Sequence, residues 1–483
     1  MNGHGATARP KAVTLNVFTL AMTHQIASFH AMILSDAIRT LRASYEGLPT
    51  WEDIGALLDD SRAAQARGYY DPNEDMRLRE TFARYLGIRS AIWQVIQELR
   101  PHYIQFSNPR AQMTQESLKA FAIAFCGAEI IVRTGEYLID LACKRDVVWT
   151  KLDEADLRYN LPRKRFTRLY RQLTSNFKMH GYYRARDYFD AHRDAVMDAV
   201  AEGEFSYIQT MLEELNLPGA SRGDHLRRYR RFLNFSLRRR RKSASRNVMF
   251  ALFEGTGSDI ADMKIPFIKA RKAPKRVTPD VLVDLTDKLR PGDVFVTRHD
   301  DAMSNLFLPG FWPHGALYIG TAAQRKALGG EDISDGVRNS GQDDIVILEA
   351  KKDGVLLRPI AETLAVDNFV VLRPKLTEAQ IAAAITNALS HAGKLYDFIF
   401  DFGTSDRLVC TEVIYRGYHG VGGIDYTLID KAGRKCLPAE DLLNQSVAQD
   451  WFDPVMIYGI HGQGLMEGPK AKDVLRRSFQ STF

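Results

Sequence analysis

The sequence is short of cysteine, of long apolar runs and of anything resembling an export leader, and each shortage closes off a class of protein. Four cysteines in 483 residues, Cys126, Cys143, Cys410 and Cys436, are too few for a disulfide framework. They read as reduced thiols, of which one or two at most have a special task. No stretch supplies the roughly twenty unbroken apolar residues of a spanning helix. The best candidate, Val13 to Leu34, is interrupted by Asn16, Thr23, His24, Gln25, Ser28 and His30. Lys11 precedes only a short apolar run, and no small-residue cleavage site follows it, so a secretory leader is not expected. The expectation is a cytoplasmic chain, or one attached peripherally to a membrane from the cytoplasmic side.

What is present is a globular composition. Hydrophobic residues make up 45% and charged residues 26%, enough apolar side chain for a sizeable core and against wholesale disorder. The length predicts two or three domains. The net charge of +6 is unevenly placed: residues 222–246 hold eleven basic residues and one acid, which leaves the rest of the chain at about −4. This segment interleaves arginines with Tyr229, Phe232, Leu233, Phe235 and Leu237. Such a helix suits an anionic membrane surface or an acidic partner. Nucleic-acid phosphates are a less favoured target, and a solvated helix face is the plain alternative.

Periodicity divides the chain. From about Thr14 to Leu217 apolar residues recur at helical spacing, as in Phe121, Ile123, Ala124, Ile130, Ile131, Tyr137, Leu138 and Leu141. Asn108-Pro109 reads as a cap ahead of a helix running to Cys143. Cys126 and Cys143 fall inside that apolar pattern as small buried hydrophobes. An all-α domain over 1–264 is therefore predicted. A basic, proline-containing linker follows at 265–280. Beyond it come short β-like runs at Asp293–Thr297, Ala316–Ile319, Ile345–Leu348, Val355–Leu357 and Phe369–Leu372, with helical patterns at Thr377–Ala392 and Thr411–Tyr418. These define an α+β domain over 281–460. The polar stretch 461–483 reads as a loose tail.

The second domain holds the candidate chemistry. Cys410 lies where a loop rich in Asp, Gly and Ser gives way to a helical pattern, which would put its sulfur at a helix N-terminus. Unpaired N–H groups and the helix dipole there stabilise a thiolate, and the same N–H groups suit an oxyanion. His314 opens a β-like run after Pro313, a position from which a ring can face a cleft and take the thiol proton. Glu349 ends an apolar run, and a carboxylate there could fix the tautomer of His314. The plain alternatives are a packed cysteine, a strand-end histidine and a solvent-facing acid.

These words also carry a resemblance. Gly292-Asp-Val-Phe-Val, His314-Gly-Ala-Leu-Tyr-Ile-Gly and Val346-Ile-Leu-Glu-Ala are similar to the core of the NlpC superfamily of papain-like cysteine hydrolases. The cysteine word, Tyr396 through Tyr418, comes last instead of first. That order resembles the circularly permuted YiiX/YaeF-like branch; lecithin:retinol-acyltransferase-like proteins share it. The resemblance spans about Leu289 to Gly459 and implies an antiparallel sheet packed with helices. By position it assigns the nucleophile to Cys410, the base to His314 and the orienting residue to Glu349. Tyr396 falls where the family places a tyrosine near the cleft, and Trp312, beside His314, joins it as a candidate substrate contact. Thr411 stands where serine is more usual, and the helical half matches nothing in the family.

The expected function is thiol hydrolysis or acyl transfer on an amide, ester or thioester of a peptide or lipid-linked acyl group. That chemistry needs no metal or organic cofactor. The rival expectation is a non-enzymatic scaffold that binds a membrane, a protein or nucleic acid through its basic helical half.

Overall fold

The computed structural model describes residues 32–103, 113–215, 227, 230, 275–299, 311–329, 333, 345–397, 400–431 and 434–478. The arginine-rich segment 222–246 lies outside the described residues but for the backbone at 227 and 230, and most of the linker lies outside them too. By internal contacts the chain forms two compact units. One is Met1–Asp59, Leu78–Trp149 and Phe166–Asn234; the other is Asp60–Arg77, Thr150–Arg165 and Phe235–Phe483.

The first unit is helical, as the periodicity predicts. The N-terminal helices are α1 (32–46), α2 (Trp51–Arg67), α3 (Pro72–Tyr103), α4 (Gln115–Cys143), α5 (Asp146–Leu152), α6 (Arg165–Thr174), α7 (Asn176–Ala191), α8 (Arg193–Ala199) and α9 (Ser206–Glu214), of which the stretches 60–77 and 150–165 belong to the second unit. Helix α4 is the axis of the first unit, with eighteen buried residues and a stacked Phe121–Phe125 pair whose centroids lie 5.8 Å apart. The cap is Thr114, whose hydroxyl accepts from the Ser117 N–H. The expected cap at Asn108-Pro109 lies outside the described residues; helix α4 starts at Gln115, where a threonine side chain satisfies an orphan amide. Cys126 is wholly buried in this core, while Cys143 is partly exposed, its Sγ 3.3 Å from the Tyr170 hydroxyl.

The second unit is built on a seven-stranded antiparallel sheet in the order β11-β10-β5-β1-β2-β3-β4. The strands are β1 (Val294–Arg298), β2 (His314–Tyr318), β3 (Ile345–Lys351), β4 (Gly354–Pro359), β5 (Asn368–Pro374), β10 (Phe452–Tyr458) and β11 (Met466–Glu467). Two short pairs stand apart: β6 (Leu395–Tyr396) with β7 (Arg407–Leu408), parallel, and β8 (Ile429–Lys431) with β9 (Arg434–Cys436). All five predicted runs are strands. One face of the sheet carries the helix Cys410–Tyr418, the helix Glu378–Leu389 and a cluster including Val294, Leu317, Leu348, Ile414 and Tyr418. The other face carries Phe295, Ala316, Tyr318, Phe369 and Val371 under the short helices Pro279–Thr286 and Ile360–Thr363.

The C-terminus differs from the expected loose tail. Residues Gly468–Ser478 form a helix that packs on β10 and buries Ala471, Leu475 and Ser478. Its basic residues hid an apolar stripe only one or two side chains wide. The polar end of the linker is likewise tied in: Lys275 pairs with the buried Asp367 at 3.3 Å, and Arg276 donates to the Gly459 carbonyl at 2.9 Å.

Candidate active site

Cys410 is the first residue of a nine-residue helix, Cys410–Tyr418, every residue of which is buried. Val409 precedes it in extended conformation, Glu412 sits in the first turn and Arg416 in the last; burial pushes the Glu412 carboxyl up to about 8 against the pull of Arg416. Gly417 lets the helix close on its neighbour: an added Cβ would lie 3.1 Å from the Ala384 carbonyl and 3.2 Å from the Ala388 Cβ. The Cys410 N–H belongs to the first turn, where the helix itself supplies no acceptor.

The same helix packs on β2. Gly315 makes the approach tolerable, since a Cβ there would stand 2.7 Å from Ile414 Cδ1. His314, one residue earlier at the start of β2, thereby comes beside the helix N-terminus and hydrogen-bonds Cys410, whose sulfur also receives the backbone N–H groups of Gly315 and Thr411. Strands β2 and β3 pair with Leu317 opposite Leu348 and Tyr318 opposite Ile347. Continuing that register brings Glu349 diagonally across from His314, and His314 Nε2 lies 2.9 Å from Glu349 Oε2. Nε2 is engaged with the acid, so Nδ1 is the ring atom left for the sulfur.

Glu349 is fully buried yet well supplied. Its Oε1 accepts from the Thr363 hydroxyl at 2.9 Å and is paired with Lys351 at 2.5 Å and Arg358 at 3.2 Å. Sequence reasoning missed these three supports. Lys351 had a signal, because two positions along a strand return to the same face. Arg358 and Thr363 are brought in by β4 and the turn after it, which sequence spacing does not reveal.

The electrostatics follow from this arrangement. Burial would raise the Cys410 thiol, but the His314 imidazolium and the backbone donors outweigh it and hold the thiol below its ordinary value. Burial opposes charge on the His314 ring; the Cys410 thiolate and the Glu349 carboxylate overcome it and push the imidazole up to about 10. Burial would likewise raise Glu349, yet His314 and Lys351 hold it down at about 2. Each group thus shifts towards its charged form, the thiol down, the imidazole up and the carboxyl down, because each stands beside an opposite charge.

The predicted residues therefore meet, with one exception. Cys410, His314 and Glu349 converge. Tyr396 on β6 lies opposite Leu408 of β7, close enough for the Cys410 charge to help hold its phenol protonated, after burial as the larger cause. Trp312 does not belong to a cleft. It is fully buried, packs edge-on against Phe311 and donates its Nε1–H to Ser478 Oγ at 3.3 Å. Its proposed substrate contact is corrected: the indole anchors the C-terminal helix. The Gly292-Asp293 word is structural as well, since buried Asp293 accepts from Arg373 Nε at 2.9 Å and from the Arg290 N–H at 2.8 Å.

In this domain the cysteine helix follows the histidine and glutamate strands in sequence. Residues 288–474 match the family model described as permuted papain-like amidase enzyme, YaeF/YiiX, C92 family. That region is a domain of this family, which implies a cysteine hydrolase, and the N-terminal part is unassigned. Comparison with curated proteins and with solved structures gives no match. Among the described residues, no helix is long and apolar enough to cross a membrane.

Proposed function

We propose that this chain hydrolyses an amide, ester or thioester through a Cys410–His314–Glu349 triad and a covalent acyl-enzyme. The supporting observation is the position of the His314 ring, hydrogen-bonded to the thiol at a helix N-terminus and 2.9 Å from a buried carboxylate. In this reading the Cys410 thiolate attacks the carbonyl carbon, and negative charge moves to the carbonyl oxygen within reach of the Cys410 N–H. Collapse breaks the bond to the leaving nitrogen, oxygen or sulfur, which takes the proton held by His314. Water then attacks the thioester while His314 accepts its proton, and the acid departs with Cys410 restored. A second nucleophile in place of water gives acyl transfer. Glu349 holds the ring and favours its charged form throughout. Tyr396, beside the sulfur, is the candidate substrate contact that this reading retains.

The substrate is proposed as a peptide or lipid-linked acyl group. Its test is a panel of amide, ester and thioester substrates offered to the wild type and to Cys410→Ala. Release of acid from at least one class by the wild type alone is expected. Equal rates for both proteins on every class would overturn the proposal and favour a scaffold. The membrane, acidic-protein and nucleic-acid partners expected of 222–246 remain proposals about a segment outside the described residues.

A further inference from the structure

The loop that delivers Cys410 is held by Arg416, which follows it, and by charged side chains from far earlier in the chain. Four of its backbone positions are committed: the carbonyls of Phe402 and Thr404 accept from Arg416 Nη2 at 3.4 and 3.2 Å, that of Gly403 accepts from Lys151 Nζ at 3.4 Å, and the Ser405 N–H donates to Glu154 Oε2 at 3.1 Å. The Ser405 hydroxyl donates to the same carboxylate oxygen, also at 3.1 Å. Arg416 continues the circuit. Its Nε donates to Glu412 Oε1 at 2.8 Å and its Nη1 to Asp75 Oδ2 at 3.2 Å. Lys151 closes it, 3.6 Å from Asp75 and 3.2 Å from Glu154.

All six residues, Glu412, Arg416, Asp75, Lys151, Glu154 and Ser405, are at most 6% exposed. All belong to the second unit, yet Asp75, Lys151 and Glu154 lie outside residues 288–474, where the family match is found. Tyr69, from the same early segment as Asp75, packs against the core that holds Tyr415. An apolar plug would fill this space more cheaply, since buried ion pairs barely recover their desolvation. What a closed hydrogen-bonded circuit adds is direction: each member accepts only a narrow range of positions for its partners. Its two points of attachment flank Cys410, the 402–405 loop just before it and Arg416 just after.

We infer that Asp75, Lys151 and Glu154 are positioning residues for the Cys410 nucleophile, setting through Arg416 and Ser405 where the start of its helix stands against His314. The inference rests on the hydrolase reading above. It makes the reactive centre a joint product of the family domain and two segments of the helical half, and it gives that half a role independent of any membrane or partner.

The test is the pH dependence of Cys410 alkylation by iodoacetamide in the full chain, read by mass spectrometry of the Cys410 peptide. Asp75→Asn, Glu154→Gln and the milder Ser405→Ala are compared with Ser446→Ala. Ser446 is an equally buried serine of the same unit, bonded instead to Tyr426 and Leu442. A loosened helix start weakens the ion pair and returns the thiol towards its ordinary value. Each unit of that return slows alkylation on the acid limb about tenfold. The three circuit variants should all show such slowing at pH 6, and Ser446→Ala should lose thermal stability alone. If the circuit variants melt early but alkylate with the wild-type profile, the inference is wrong and the circuit is a structural brace. Should Asp75→Asn and Glu154→Gln fail to fold, Ser405→Ala decides by itself. Failure of the hydrolase reading has a separate signature: a wild-type profile unchanged by His314→Ala.

Discussion

Glu349 Oε2 stands 2.9 Å from Nε2 of His314 while its other oxygen meets Lys351, Arg358 and the Thr363 hydroxyl. A wholly buried acid is thus kept ionised by the His314 ring, on which it spends one oxygen, and by two cations at the other. Replacing it removes the negative charge that favours imidazolium. In Glu349→Gln the His314 pKa, about 10 in the native protein, should fall, so the charged ring is lost at lower pH. An NMR titration of the His314 imidazole checks this, and a titration unchanged in the variant would contradict it. Hydrolysis by the folded fraction should drop about a hundredfold or more, the usual worth of a positioned acid–base pair. The variant also strands two cations around the site, so stability should fall by about 3–5 kcal/mol.

Gly315 is predicted to be costly to replace for a steric reason. Gly315→Ala puts a methyl 2.7 Å from Ile414 Cδ1, and Ile414 is itself fully buried. The Ile414 side chain must shift within the packed core or the helix must retreat from β2, at about 1–3 kcal/mol. Chemical denaturation should show that loss, and the Cys410 peptide should alkylate more slowly near neutral pH. Native reactivity in Gly315→Ala would separate the strand contact from the reactivity of the thiol.

Trp312→Phe distinguishes anchoring from substrate contact. The substitution keeps most of the bulk but removes the hydrogen bond to Ser478, so a loss of about 1 kcal/mol in stability with an unchanged KM is expected. A raised KM at unchanged stability would return the indole to the cleft.

The contrast between Trp312 and His314 shows what sequence can carry. Both sit in one short stretch, and nothing in the local pattern says that one ring turns into the core while the other reaches the Cys410 helix. The helix start at Cys410 was legible because a polar, glycine-containing loop gives way to an apolar helical pattern. Glu349 was legible because an acid among Val346, Ile347 and Leu348 demands a partner. Strand β10 was not, since Pro454 breaks the pattern in a strand that is paired on both sides. The pairing with β5 shifts register between Pro454 and Met456, and that irregularity is what accommodates the missing N–H. The circuit through Asp75, Lys151 and Glu154 was illegible for a different reason. Its members stand more than 250 positions from Ser405 and Arg416 at the nearest approach through Glu154, or 341 through Asp75, and each alone looks like an ordinary surface charge.

Cysteine selectivity should follow burial and charge together. Cys126 is fully buried with a neighbouring acid, Glu129, and its thiol is pushed well above the ordinary value by burial first and that acid second. Brief iodoacetamide treatment of the native protein at neutral pH should label Cys410 and leave Cys126 untouched, as peptide mapping would show. Equal labelling would mean that the native fold gives Cys410 no advantage.

The most direct measurement is the rate of Cys410 alkylation at pH 6.5 in the wild type and in His314→Ala, with folding of both confirmed by circular dichroism. An imidazolium that holds the thiolate predicts fast labelling of the wild type and a loss of about tenfold or more in the variant. Equal rates in two folded proteins would contradict the pairing of these side chains, and with it the cysteine-hydrolase account.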